Sequence, residues 1–189
     1  METKLVIGCG RKKYDGWINT EIKEINLLDK TTFDDYGIKK ESLTHILAEH
    51  VWEHLTYEEG ILAAKNCKEY LKDNGRLRVA VPDGFHSDYK YINSVKPGGT
   101  GLSAKQHKIL YNYRLLLDVF IDAGFYSFDL LEFWDEKKEF HFMLWKPEDG
   151  FIKRSKRFDR RNKVKQLSYT SLIIDVFKER KILDKNTIK

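Results

Sequence analysis

Two cysteines in 189 residues, Cys9 and Cys67, are too few for a disulfide framework, and neither belongs to a Cys-x-x-Cys metal pair. No apolar run approaches the roughly 20 residues that cross a bilayer. The amino terminus leads straight into an apolar strand pattern, so no signal peptide is expected. These absences exclude a small disulfide-stapled scaffold and a membrane span, and they predict a reducing, cytoplasmic setting. Internal repeats are missing as well. What is present is a charged surface: 33% of residues are charged against 41% hydrophobic, a balance that suits a globular chain with one sizeable core.

The net charge of +5 is unevenly spread. Lys153, Arg154, Lys156, Arg157, Arg160, Arg161, Lys163 and Lys165 face a single acid in the same stretch, Asp159. Such a run suits phosphate on nucleic acid, a nucleotide-linked substrate or an anionic surface, or it is simply solvated. Aromatics for stacking on bases are scarce there (Phe151 and Phe158), so nucleic acid is not favoured.

A missing glycine narrows the chemistry further. Leu5-Val6-Ile7-Gly8-Cys9-Gly10 reads as a buried strand ending in a sharp turn that lets a ligand approach the backbone. Trp17-Ile18-Asn19-Thr20-Glu21 reads as its neighbour, with a carboxylate at its tip placed for a ribose diol. A dinucleotide fingerprint needs a third glycine opening a helix, but Arg11, Lys12 and Lys13 stand there. The stretch 11–16 is also too short for a helical crossover, so no helix end is on hand to grip a pyrophosphate. NAD and FAD are therefore disfavoured. S-adenosylmethionine, which has an adenosine and no phosphate, is compatible with so short a loop.

Strand and helix patterns alternate through the first 145 residues. Ile25–Asp29 reads as a third strand and Leu43–Ala48 as a fourth. Thr56-Tyr57-Glu58-Glu59 has capping-box spacing and opens a helix that closes at Asp73-Asn74-Gly75. Leu77–Val81 is the next strand, stopped by Pro82-Asp83. Residues 84–104 form a long glycine-rich loop, a common place for a substrate lid. A second helix is predicted from about Lys105 to Gly124, followed by strands near Ser127–Phe133 and Phe140–Trp145 that pair as an antiparallel hairpin. The pattern predicts a parallel sheet covered on both faces, in a domain spanning 1–148. A basic extension, 149–189, packs on or near it. Its apolar run Tyr169–Phe177 is strand or helix; periodicity alone does not decide.

These motifs together resemble class I S-adenosylmethionine-dependent methyltransferases, and most nearly their small type 11 members, often found near glycan and cell-envelope functions. The segments that carry the resemblance are Leu5–Gly10, Gly16–Glu21, Ala48-Glu49-His50-Val51-Trp52-Glu53-His54-Leu55, Gly75–Asp83 and Ala123-Gly124-Phe125, in that order. It covers about 4–145, and Arg157–Asn162 with Tyr169–Ile173 also looks typical of that subgroup. The resemblance implies an α/β, Rossmann-like, mostly parallel seven-stranded sheet of order 3-2-1-4-5-7-6 with helices on both faces and its last strand antiparallel. It implies that Gly8, Cys9 and Gly10 approach the cofactor, and that Glu21 holds the ribose hydroxyls. Leu28 and Asp29 would flank the adenine, and Glu49 and His50 would lie near the methionine and the transferable methyl. One departure is Ile7, where many relatives carry an acid. Another is the lack of a helix before the first strand, so the loop after Asp83, the tail or another subunit is expected to close the site.

The chemistry implied is methyl transfer to a hydroxyl of a small or glycan-type acceptor. Such a transfer needs alignment and, for a hydroxyl, a proton acceptor. Asp83, His107 and His50 are the candidates from position along the chain, with His86 behind them. Trp52, Tyr89, Tyr91 and Tyr111 suggest a wall for a sugar ring. His50-Val51-Trp52-Glu53-His54 also matches the His-x-x-Glu-His pattern of inverted zinc proteases. The capping box starts the helix only at Thr56, so the pattern falls on a bend and no metal is expected there. A non-catalytic binding module and a nucleic-acid methyltransferase using the basic tail remain as alternatives.

Overall fold

In the computed structural model, residues 2–163 and 166–179 are described; Lys165 of the basic run and everything beyond Glu179 fall outside them. Seven strands form one sheet: β1 (Lys4–Ile7), β2 (Ile18–Thr20), β3 (Leu43–Glu49), β4 (Leu71–Pro82), β5 (Ser127–Trp134), β6 (Phe140–Phe142) and β7 (Ser171–Phe177). Their order is β2-β1-β3-β4-β7-β5-β6. The β2/β1, β1/β3 and β3/β4 ladders are parallel, and those flanking β7 and joining β5 to β6 are antiparallel.

This corrects the expected order in two places. Ile25–Asp29 is not a strand but a chain of turns. The Asn26 side chain accepts from the Leu28 N–H, and the Asp29 carboxylate accepts from both the backbone and hydroxyl of Thr31. These local bonds hold the donors that a sheet edge would need. The missing strand is made good at the other end. β7, from the segment set apart as an extension, enters between β4 and β5, and the hairpin strand β6 becomes the edge. Two strands therefore run against the rest, not one.

Alternation along the strands sorts side chains onto two faces. Leu5, Ile7, Ile46, Ala48, Leu77, Val79, Val81, Leu172, Ile174 and Val176 point into the larger core. There they meet α1 (Thr31–Asp35), α2 (Tyr57–Tyr70) and, beyond the short α3 (Tyr89–Val95), α4 (Tyr113–Asp122) through Phe33, Ala64, Cys67, Tyr70, Leu116, Val119 and Phe120. Val6, Leu47, Ala80 and Ile173 point the other way, onto Tyr14, Trp145 and Ile152. Helices were expected on both faces, but irregular chain covers this second face, with Phe151 and Phe158 filling in.

The second face also buries a charged pair. Arg78 on β4 lies directly opposite Asp175 on β7, and the two form a bidentate bridge with Nε–Oδ1 at 2.7 Å and Nη2–Oδ2 at 2.8 Å. The α2 cap forms as its spacing predicts: the Thr56 hydroxyl accepts from Glu59 N, and the Glu59 carboxylate accepts from Thr56 N. The second long helix begins later than Lys105. Asn112 caps it from Leu115 N, while Lys108 N donates to the Glu53 carbonyl and holds the preceding stretch extended.

Candidate functional site

The carboxyl ends of β1, β3 and β4 and the amino end of antiparallel β7 share one edge of the sheet. A cleft of about 970 Å³ opens there. Gly8 and Gly10 turn the chain out of β1 with φ of +65° and +60°, the left-handed region where a side chain is strained. A Cβ on Gly8 would stand 3.0 Å from Val51, whereas beside Gly10 the space is open. The loop therefore presents bare backbone to the cleft, with Cys9 beside it.

Glu21, at the tip of β2, accepts a hydrogen bond from the Gly10 N–H, which ties it to the loop, although it does not itself line the cleft. Leu28 and Asp29 also lie outside the lining. Glu49 lines it and is held in place: one carboxylate oxygen accepts from Arg154 N at 2.8 Å, and the other lies 3.7 Å from Lys12 Nζ. Tyr14 completes this corner, its hydroxyl 2.7 Å from Lys12 Nζ and 3.4 Å from Glu49.

His50 follows β3 with φ +61°, an unusual conformation for a residue with a side chain. Its Nδ1 lies 2.8 Å from Glu53 Oε1, a contact without hydrogen-bond alignment, and its Nε2 lies 3.0 Å from Ser171 Oγ. Glu53 is fully buried, and its Oε2 has no partner. Burial works to raise its pKa, but His50, the backbone and His54 outweigh that and hold it below the ordinary carboxylate value. The His-x-x-Glu-His pattern falls on a 3-10 turn, Trp52–His54, ahead of α2. The two histidines therefore do not share a helix face; His50 turns to Ser171, and His54 packs its ring edge-on to His107 at 4.9 Å.

Asp83, also a candidate base from its position along the chain, lies away from the cleft lining. Asp83 is fully buried, and its two oxygens accept from Phe85 N (2.9 Å) and Trp134 N (2.8 Å). Burial raises its pKa to about 7 against the pull of those two donors. It does not line the cleft, and its bond from Trp134 N ties the end of β4 to β5. His86 is likewise enclosed, stacked on Tyr91 at 3.9 Å, and burial lowers its pKa to about 4. The expected aromatic wall is packing: Trp52 and Tyr111 belong to the core, Tyr91 donates to the Thr170 carbonyl, and Tyr89 points outward. His107 does line the cleft.

Residues from two further segments complete the walls: Ser94, Val95 and 101–104 from the stretch after Asp83, and Lys153, Arg154, Arg161 and Tyr169 from the tail. Arg161 lies over the Tyr169 ring at 3.6 Å and is braced by Asp159. With Arg11 and Lys12, five cationic residues line the cleft against two acids, Glu49 and Glu53. The basic run was the sequence signal for the tail's part. Nothing local marked Tyr14, Ser171 or Tyr169.

No family model matches the chain, and no match is found among curated proteins. Solved structures do match. One is a methyltransferase from Thermotoga maritima, described as S-adenosylmethionine-dependent and a possible histamine N-methyltransferase. It is 14% identical, with a TM-score of 0.55 over 94% of this chain and 82% of that one. An S-adenosylmethionine-dependent methyltransferase from Archaeoglobus fulgidus is 14% identical, with a TM-score of 0.51 over 93% and 84%. The DszA carbon methyltransferase is 11% identical, with a TM-score of 0.55 over 94% of this chain and 47% of its own. At these identities the likeness is one of architecture, and by architecture the chain has the class I S-adenosylmethionine-dependent methyltransferase fold.

Proposed function

We propose that this protein is an S-adenosylmethionine-dependent methyltransferase that methylates a hydroxyl of a small, negatively charged acceptor, with glycan-type sugars the leading class. The observation that carries the reading is the bare Gly8–Gly10 turn opening into the large cleft at the carboxyl edge of this fold. Bound there, the cosubstrate supplies an electrophilic sulfonium methyl. Gly8, Cys9 and Gly10 would meet it through the backbone and Glu49 and His50 would border its methionine end, while Glu21, Leu28 and Asp29, outside the lining, would take the ribose and adenine where these extend past the rim beside the Gly10 turn.

The charge of the cleft supports an anionic acceptor. A sulfonium donor entering a lining of five cations and two acids adds no compensating negative charge, so the acceptor brings it. His50 is the preferred proton acceptor. Glu53 favours a proton on Nδ1, which leaves Nε2 to accept from the acceptor hydroxyl in place of Ser171. Transfer would break the S–CH3 bond as the O–CH3 bond forms, with S-adenosylhomocysteine leaving and the hydroxyl proton passing to His50.

Calorimetry with S-adenosylhomocysteine tests the cofactor assignment. We expect binding, no binding of NAD, and a loss of about 1.5–3 kcal/mol in Glu21→Ala, as for a hydrogen bond to a charged group. Absence of binding, or preference for NAD, refutes the assignment. Methyl transfer is then assayed on phosphorylated, carboxylated and neutral sugars. Turnover confined to neutral acceptors refutes the charge argument. Binding without turnover on any of them favours a non-catalytic module. Tight RNA or DNA binding that falls steeply with salt favours the nucleic-acid alternative.

A further inference from the structure

Two short 3-10 turns meet at the side of the cleft, and they bring together side chains that lie more than fifty positions apart in the chain. Trp52–His54 carries Glu53 and His54, and Ala104–Gln106 runs directly into His107. A backbone bond and a side-chain contact clamp the two segments: Lys108 N donates to the Glu53 carbonyl at 2.7 Å, and His54 Nδ1 stands 3.3 Å from the Gln106 carbonyl. From this arrangement we propose that Glu53, His54 and His107 hold a divalent transition-metal ion at the wall of the cleft.

Each ligand is prepared for that task. His107 Nδ1 lies 2.6 Å from the Val95 carbonyl, and a carbonyl only accepts, so Nδ1 carries the proton and Nε2 keeps its lone pair. His54 is set the same way by the Gln106 carbonyl. This is the orientation that metal-binding imidazoles take from their outer partners. Glu53 is 1% exposed, and its Oε2 lacks any hydrogen-bond donor, a costly state that a cation relieves. Its other oxygen faces His50. The candidate ligand atoms of the three side chains all lie within 4.8 Å of one another. Around an ion with bonds of about 2.1 Å they would stand roughly 3–3.5 Å apart, so the three side chains would draw together on binding.

The donor set selects the metal class. Two imidazoles and one carboxylate suit zinc, iron(II) or cobalt(II), whereas magnesium and calcium prefer all-oxygen sites. All three residues line the cleft, so positions facing it stay open. Resting on the proposed methyl transfer, an acceptor oxygen taking such a position would be held beside the methyl and made more acidic. The two histidines of the His-x-x-Glu-His pattern do not act together here: His50 faces Ser171, and His107 is the ring beside His54.

The test uses metal-stripped full-length protein, without methyl donor, titrated with CoCl2 by visible absorption and with ZnCl2 by calorimetry. We expect one ion per chain, a cobalt ligand-field band, and at least tenfold weaker binding in His54→Ala, His107→Ala and Glu53→Gln. His54 is only partly buried, so its variant separates ligand loss from misfolding, and circular dichroism checks each variant. The exposed group Asp135, Glu139 and His141 is the competing site among the described residues. His141→Ala should leave the binding unchanged. No binding, or binding lost in His141→Ala and kept in His54→Ala, overturns the site. Because the titration omits the methyl donor, failure of methyl transfer leaves this result standing, and the reverse also holds.

Discussion

Removing Asp175 should cost this protein a large part of its stability. Arg78 and Asp175 are almost wholly buried, at 1% and 2% exposure, on adjacent central strands. The guanidinium gives two hydrogen bonds to the carboxylate and two more, through Nη1, to the carbonyls of Lys146 (3.0 Å) and Gly150 (2.7 Å). Arg76 adds a contact to Asp175 Oδ2 at 3.2 Å. Asp175→Ala strands the Arg78 charge between two carbonyls, where water does not reach it. Breaking a buried pair in this way costs about 3–5 kcal/mol, against a total stability of roughly 5–15 kcal/mol for a domain. In a chain of this size each kcal/mol moves Tm by about 2–4 °C, so Tm should fall by about 6–20 °C. Urea unfolding followed by circular dichroism, with a thermal scan, measures both. Arg78→Met with Asp175→Leu should recover much of the loss, because an apolar pair of similar volume needs no compensating charge. A loss under about 1 kcal/mol in Asp175→Ala, or a double variant no better than the single one, would refute the account. The site is coupled to the same strand: β7 begins at Ser171, the partner of His50.

Two pH effects follow from buried groups. Asp83 titrates near 7 in the folded protein, above its ordinary 3.8, so its contribution is complete below about pH 4 and is lost as pH rises through 7. Asp83→Asn faces an amide N–H toward a backbone donor and should be less stable by about 1–3 kcal/mol at low pH. Urea midpoints should show that gap narrowing between pH 4.5 and 7.5, and a gap that widens would contradict the assignment. Lys12 is lowered to about 8 by burial, with Lys153 and Arg154 adding to the effect and Glu49 opposing it. Phosphate binding in the cleft should therefore weaken as pH rises from 7 to 9, and Lys12→Arg should flatten the profile; equal slopes for the two proteins would remove Lys12 from the anion site.

What the sequence determined by itself is what neighbours along the chain decide. The Gly8–Gly10 turn, the fourth apolar run as β3 and the Thr56–Glu59 cap all rest on contacts within a few residues, and the structure places each where the pattern does. The reading failed where two local outcomes were equally good. Ile25–Asp29 has a strand's composition, but Asn26 and Asp29 satisfy nearby backbone donors and turn it. The stretch after Lys105 has a helix's composition, but its N–H groups go to Glu53, and Asn112 starts the helix instead. Ser171–Phe177 suited strand or helix equally, and only the open edges of β4 and β5, with Arg78 waiting opposite Asp175, made it a central strand. The site shows the same division. The glycine loop was legible because backbone conformation is local. His50 on Ser171, His54 beside His107 and the tail's arginines over the cleft were not, because those distances exist only once the sheet has closed around β7.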